Sequence, residues 1–251
     1  MSANESMQSH TFAFRLKVMQ NSVRVFIELG CGKMRIIRWF TFIFGIMLFS
    51  LGITIAINVQ HMGIHPWDVL NVALFDKVGL SIGTWAIIIS FLLIVISWVL
   101  DKRYIKIGTF FNAFLVGVFV DFYMWLDLLP HATHTWLDVL IILSGIIVMG
   151  IGGGVYNAAG VGSGPRDGFM LSLADKLPIS IRGVRIITET LVLLIGLLLG
   201  GPVYIFTFIF TFVQSPIFQF FYLKCRHYLQ YVERKSFYMH ANRSSSMKKT
   251  L

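Results

Sequence analysis

The chain has 251 residues, 56% of them hydrophobic and only 13% charged, with a mean hydropathy of +0.75 and a net charge of +9. Soluble domains carry about 25% charged residues, so the composition excludes an ordinary water-soluble globule and marks an integral membrane protein. Such basicity would suggest nucleic acid in a soluble chain, but here it lies in the termini and in alternate loops, where membrane topology calls for it, so no nucleic-acid partner is expected.

Residues 1–33 are polar and basic, with apolar residues scattered through Phe12, Phe14, Leu16, Val18, Val23, Phe26 and Ile27. Three readings stand: an interfacial amphipathic helix, a poorly ordered leader, or a segment ahead of a true start at Met34. The stretch Met34-Arg35-Ile36-Ile37-Arg38-Trp39 already supplies the basic flank of a first span. No apolar core of a cleavable signal peptide is visible. Six apolar runs follow, at 39–58, 82–100, 107–126, 137–156, 184–200 and 203–222. Each is near the roughly 20 residues that carry a helix across about 30 Å of hydrocarbon. Gly200-Gly201-Pro202 joins the last two as a tight helical hairpin, with Pro202 in the first turn of the sixth helix. The expected organisation is a leader (1–34), one transmembrane domain (35–222) and a flexible basic tail (223–251). Cys31 and Cys225 are the only cysteines, so there is no disulfide framework and no CxxC motif.

Lysine and arginine set the orientation. The N-terminal region holds Arg15, Lys17, Arg24, Lys33, Arg35 and Arg38, whereas the first loop has only Lys77. The second loop has Lys102, Arg103 and Lys106; the third has none; the fourth has Arg166, Lys176, Arg182 and Arg185; the fifth has none. The tail is again basic. Rich and poor sides alternate, so both termini are expected on the cytoplasmic side.

The segment 63–83 repeats at 162–182. Identities fall at Gly63/Gly162, Pro66/Pro165, Asp68/Asp167, Leu74/Leu173, Asp76/Asp175, Lys77/Lys176, Ser81/Ser180 and Ile82/Ile181, all at an offset of 99, with Asn58/Asn157 just upstream. That is an internal duplication. Each copy contributes three spans (about 39–126 and 137–222), an odd number, so the second copy is expected to enter the membrane upside down. The fold class read from this pattern is all-α: six transmembrane helices as two three-helix inverted repeats, each with a short half-helix after its Pro-x-Asp motif. The first motif loop then faces outward and the second inward, in keeping with Trp67 in one and Arg166 in the other. Such repeats are a signature of secondary transporters.

After each proline comes a short apolar stretch, Trp67 to Lys77 and Arg166 to Lys176, about eleven residues long and too short to cross. These fit re-entrant half-helices, whose broken backbone needs protein or water around it. Asp68 and Asp167 admit two readings. Proline followed two residues later by aspartate is a plain helix start, the carboxylate sitting at the positive end of the dipole; alternatively the carboxylates line a cavity and hold a cation or proton. The glycines at 150, 152, 153, 154, 160, 162, 164 and 168 form no nucleotide loop, because neither GxxxxGK[ST] nor a GxGxxG register exists. Close helix packing and an unwound hinge are both open for them. Within the spans, Glu189 and Asp121 are the ionisable residues, and burial makes such groups functional candidates by default; the alternatives are an interhelical hydrogen bond for Glu189 and an interfacial role for Asp121. His61 and His65 are spaced i,i+4, and His131 and His134 share the expected outer side with Asp127 and Asp138. An external metal site is one reading, but without an HExxH or Cys/His ligand set solvated loop histidines are the preferred one, so no metal, cofactor or catalytic set is expected.

The pairing of Gly63-Ile64-His65-Pro66-Trp67-Asp68 with Gly162-Ser163-Gly164-Pro165-Arg166-Asp167-Gly168-Phe169-Met170 resembles the YczE/YitT-type bacterial membrane proteins. The segment from Gly108 through Asn112 and Gly117 to Asp121 is similar to that family's third span. The resemblance covers about 35–222 and implies a polytopic inner-membrane protein without supplying a substrate. Two functions are consistent with the sequence. One is a secondary transporter or ion-coupled permease for a small solute, with a proton or sodium ion as coupling ion and the lipid bilayer as its medium. Its solute and ion site is expected at Asp68, Asp167, Arg166, Glu189, Asn58 and Asn157, framed by Gly63, Gly162, Gly164 and Gly168. The other is a non-transporting accessory protein that supports a membrane or secretion-linked enzyme through a membrane-protein partner or as a homo-oligomer. Neither is an enzyme.

Overall fold

The computed structural model describes residues 34–102, 105–179 and 181–249. The leader readings for residues 1–33, including Cys31, lie outside the described residues. All regular structure among the described residues is helical. The helices are α1 (Met34–Asn58), α2 (Pro66–Val78), α3 (Ile82–Leu100), α4 (Ile107–Leu126), α5 (Leu137–Ala158), α6 (Pro165–Ala174), α7 (Ile181–Leu198) and α8 (Ile205–Lys249), with a 3-10 turn at Gln60–Met62. Five of them, α1, α3, α4, α5 and α8 over Ile205–Lys235, are long and apolar enough to cross a membrane. The run expected as a fifth span is α7, whose apolar stretch, Ile186–Leu198, is shorter and is preceded in the helix by Arg182 and Arg185.

Helix ends follow local chemistry. The Ser81 hydroxyl accepts from Thr84 N at 3.0 Å and starts α3, while Asp121 of α4 accepts from Gly83 N at 2.9 Å and from the Ser81 hydroxyl. Asp121 is thus a cap for a neighbouring helix, the interfacial alternative. α7 ends at Gly200, whose φ of +88° favours glycine; Gly201 N then donates to Gly196 O at 2.8 Å. Pro202 lies in the connection before Ile205 rather than in a helical turn: Tyr204 caps α8, its N–H donating to Thr207 Oγ1 at 3.3 Å. The segment expected as a flexible tail is helical through Lys249, because nothing between Tyr222 and Lys249 is glycine or proline and loss of apolarity alone does not stop a helix.

The described chain divides into two units, residues 40–226 and the flanking segments. In the flanking unit, Arg38 Nη2 pairs with Glu233 Oε2 at 3.0 Å. In the large unit α1 and α5 cross through small residues: Gly45 abuts Tyr156, Gly52 abuts Met149, and Gly152 abuts Phe49. Paired numbers rise along α1 and fall along α5, so the two run antiparallel. α5 and α8 run parallel, with Gly150 against Ile217 and Gly154 against the Phe218 carbonyl and Tyr222 N. The glycines at 150, 152 and 154 therefore serve close packing inside an unbroken helix, while Gly160 to Gly164 form the non-helical loop ahead of α6. A second core joins Trp67 of α2, Leu93 of α3, Met170 of α6, and Val184 and Val192 of α7. Here α2 packs chiefly on α7 and α6 on α3. Outward faces are apolar, as with Leu92, Val95 and Val99 of α3, Phe111 and Phe114 of α4, and Leu191, Leu194 and Leu198 of α7. Water does not tolerate so continuous an apolar surface; lipid does.

Candidate functional site

The starts of α2 and α6 build the site. His65 is extended, and its Nδ1 accepts from Trp67 N at 3.4 Å; Pro66 then takes the first helical position, where its missing N–H costs nothing. α6 opens the same way at Pro165, with Gly168 N donating to Gly164 O at 2.9 Å. Each loop is held against a later helix at a point with room for glycine only. A Cβ on Gly63 would lie 2.8 Å from Thr207 N of α8, and one on Gly162 would lie 2.5 Å from Thr109 N of α4. The two contacts are equivalents under the 99-residue offset, apart by one residue.

The helix starts meet through an ion pair. Arg166 Nη2 lies 3.3 Å from Asp68 Oδ1, and the guanidinium carbon sits 5.2 Å from the centroid of the Trp67 ring. Asn71, one turn along α2, donates to the same carboxylate oxygen at 3.5 Å. Asp68 and Trp67 are 2% and 3% exposed, so this charge pair is largely out of solvent. Burial lifts the Asp68 carboxyl above the usual carboxylate range; the Arg166 charge opposes that, followed by the hydrogen bonds from Arg166 and Asn71. Trp67 and Arg166 occupy equivalent positions of the duplicated motif, and the contact explains why they differ. Two arginines would place cations face to face, whereas an indole ring accepts one guanidinium. The first residues of the two half-helices thus lie together.

Gly164 extends the site. A Cβ there would lie 3.0 Å from the Tyr156 hydroxyl, 3.5 Å from Asp167 Oδ2 and 3.6 Å from Asn112 Oδ1, so these three polar groups gather around it. The Tyr156 hydroxyl engages the side chains of Asn157 and Asn112. Of the four buried side-chain polar atoms without a hydrogen-bond partner among the described residues, three belong here, Trp67 Nε1, Asn71 Oδ1 and Asn112 Nδ2; the fourth is Ser97 Oγ of α3. Each such atom costs about 1–3 kcal/mol unless water or a ligand completes it. Two helix N-termini, worth roughly half a positive charge each, join Arg166 in offsetting the two aspartates. The arrangement offers donors, acceptors and both signs of charge in one buried place. That suits binding of a polar solute or ion.

The family model described as "Family of unknown function (DUF6198)" matches residues 36–223. The chain belongs to this family. It is 33% identical over 186 residues to the uncharacterized membrane protein YczE of Bacillus subtilis, an alignment covering 74% of this chain and 85% of that one. An uncharacterized protein of Haemophilus influenzae is 29% identical over 180 residues (70% and 81%), and YyaS of Bacillus subtilis, also uncharacterized, is 28% identical over 162 (63% and 79%). No solved structure matches significantly. The matched span of the DUF6198 family holds every helix of the site, and it leaves the first 35 residues and the last 28 outside.

The other residues singled out by sequence are dispersed. Glu189 is buried on α7, beside Thr188, whose hydroxyl donates to Val184 O of the same helix at 2.8 Å. Asn58, at the end of α1, donates to Pro130 O of the α4–α5 loop at 3.3 Å. Asn157 donates to Gly153 O at 3.0 Å within α5. Gly168 is buried, its carbonyl accepting from Ser172 Oγ at 2.8 Å. Of the histidines, His65 is the α2 cap and packs on Phe210, His131 pairs with Asp127 at 3.0 Å, and His61 meets His134 and Asp138. Sequence reasoning passed over Tyr156, Asn71 and Trp67 as site members. Asn71 follows Asp68 by three residues and so shares its helix face, and Tyr156 precedes the repeated asparagine; both signals were available.

Proposed function

We propose that this membrane protein is a secondary transporter of a small polar solute, coupled to a proton or sodium ion, in the bacterial inner membrane with both termini cytoplasmic. The reading rests on two inverted copies of one unit. Supporting it, α2 and α6 start at Pro66 and Pro165, and α3 and α7 at Ile82 and Ile181, in each case 99 residues apart. The antiparallel crossing of α1 with α5 is what two equivalent helices make when one copy is inverted. The cross-packing of α2 on α7 and of α6 on α3 is reciprocal, as a pseudo-two-fold axis in the membrane plane requires. In this arrangement α7 is the fifth of six spans. Its 18 residues reach about 27 Å at roughly 1.5 Å per residue, enough for a hydrocarbon layer of about that thickness.

The Asp68–Arg166 ion pair carries the functional reading. It joins the two copies at the starts of their half-helices, away from bulk water, where making or breaking one pair alters how the copies hold together. A proton or sodium ion on Asp68 frees the Arg166 guanidinium for an anionic group of the solute, which couples ion and solute through one contact. The test is flux into proteoliposomes under a pH or sodium gradient, across a panel of amino acids, carboxylates and inorganic anions. Gradient-dependent flux that falls at least tenfold in Asp68→Asn supports the reading. Absence of flux across the panel, or flux unchanged in both Asp68→Asn and Asp167→Asn, overturns it.

A further inference from the structure

We propose that His61, His134 and Asp138 bind a transition-metal dication, with Zn²⁺ as the best fit. The three residues come from the turn after α1, from the α4–α5 loop and from the first turn of α5. One ligand atom from each lies within 4.8 Å of the others. His61 Nε2 is 3.0 Å from Asp138 Oδ2, and the two imidazole rings stand 4.6 Å apart, tilted by 42°.

The carboxylate is preorganised. Asp138 is fully buried, and Thr133 donates to its Oδ1 from both N (2.9 Å) and Oγ1 (2.8 Å), while His134 N donates to Oδ2 at 2.9 Å. All three donors come from the loop segment that carries His134, so the acid is oriented by the chain that supplies the second imidazole. Such outer hydrogen bonds fix ligating groups in metal sites. A simple His61–Asp138 pair would explain His61 alone. The loop that orients Asp138, with His134 in a left-handed backbone (φ +53°), also sets the His134 ring beside that of His61. Two neighbouring imidazoles repel when both are protonated, and a shared cation turns the repulsion into coordination.

The donor set selects the metal. Two imidazoles and a carboxylate match borderline dications, with zinc preferred over calcium or magnesium, which take oxygen ligands. Zinc–nitrogen bonds of about 2.0–2.1 Å place tetrahedral ligands about 3.3 Å apart, so from a spread within 4.8 Å the ligand atoms close by up to about 1.5 Å. His134 is exposed. Three protein ligands leave a fourth position for water, the pattern of open sites, not of closed structural ones. The loops that hold the site have one lysine and no basic residue respectively, which by the positive-inside rule sets the metal on the outer face. A bound ion ties the end of α1 to the α4–α5 loop, beside the Asn58–Pro130 hydrogen bond.

The test uses the tag-free full chain, stripped with chelator in detergent and titrated with Zn²⁺ by calorimetry, with Co²⁺ absorption as a second readout. Expected are one site at micromolar Kd or tighter, the visible bands of low-symmetry Co²⁺, and at least a tenfold loss of affinity in His61→Ala and in His134→Ala, while His131→Ala binds as the parent does. Both histidine variants leave the buried carboxylate and its three donors in place, so they are expected to fold. Wild-type binding weaker than about 100 µM, or unchanged affinity in either histidine variant, overturns the proposal.

Discussion

Replacing Arg166 by methionine removes the guanidinium but leaves an apolar stem over Trp67, and so isolates the charge. Asp68 is then a carboxylate with 3% side-chain exposure and no cationic partner in the pair described above. Breaking a buried pair from one side costs about 3–5 kcal/mol. Arg166 keeps 19% side-chain exposure and makes a single 3.3 Å contact, so the expected cost is about 2–3 kcal/mol, at the partly solvated end of that scale. For a domain of this size about 1 kcal/mol moves Tm by roughly 2–4 °C, which predicts a drop of about 4–12 °C at pH 7.5 in detergent. The sign with pH follows from burial. The folded-state pKa of Asp68 is raised, so the penalty is absent below the unfolded value near 3.9 and complete once pH passes the folded one. The Tm deficit should therefore shrink as pH falls from 8 to 5. Adding Asp68→Asn to Arg166→Met should recover most of it, with a coupling of about 1–3 kcal/mol. Melting followed by intrinsic fluorescence and by size-exclusion recovery reads each of these. A deficit below 1 °C, one independent of pH, or strict additivity of the two substitutions would refute the buried-pair argument.

Other substitutions test the rest of the account. Gly152→Val drives a branched side chain into the Phe49 backbone of α1 and should cost at least about 1–3 kcal/mol; Gly79→Ala meets open space and only a φ of +84°, so it should cost about 1–2 kcal/mol, both read as Tm. Asp121→Ala uncaps α3 and should lower stability by about 1 kcal/mol with flux per folded molecule unchanged. Tyr156→Phe should change stability by no more than about 1 kcal/mol while raising KM for flux, because it removes a hydroxyl from the polar cluster at Gly164.

Much of the helix map was legible because local rules decide it. The runs at 82–100 and 107–126 are the bounds of α3 and α4: the Ser81 hydroxyl caps one start, the Thr109 hydroxyl accepts from Lys106 N at the other, and each helix gives way to an aspartate, Asp101 and Asp127. The two Pro-x-Asp stretches are helices whose ends differ by one or two residues from the sequence reading, since proline fixes a start but nothing fixes the end of α6 as sharply. The run to Tyr222 was read as ending its helix because apolarity stops there; the helix does not, since membrane exit and helix termination are separate events. Site residues were legible singly and not as a set. Asp68 and Arg166 stand 98 residues apart, and no local spacing joins them. The clue lay in the mismatch itself, Trp67 against Arg166 within a duplicated pair of motifs, which is where two equivalent positions face each other. His61 and Asp138 likewise meet only through the antiparallel crossing of α1 and α5.

The inversion of the two copies is the claim on which the transport reading stands, and Val78 and Leu177 test it directly. They are equivalents at the 99-residue offset, both exposed, one at the end of α2 and the other just beyond α6. With Cys31 and Cys225 replaced by serine, Val78→Cys and Leu177→Cys are labelled separately in intact cells with a membrane-impermeant thiol reagent. The account predicts that the cysteine at 78 reacts from outside and the one at 177 only after permeabilisation. Labelling of both from the same side would make the copies parallel and contradict it.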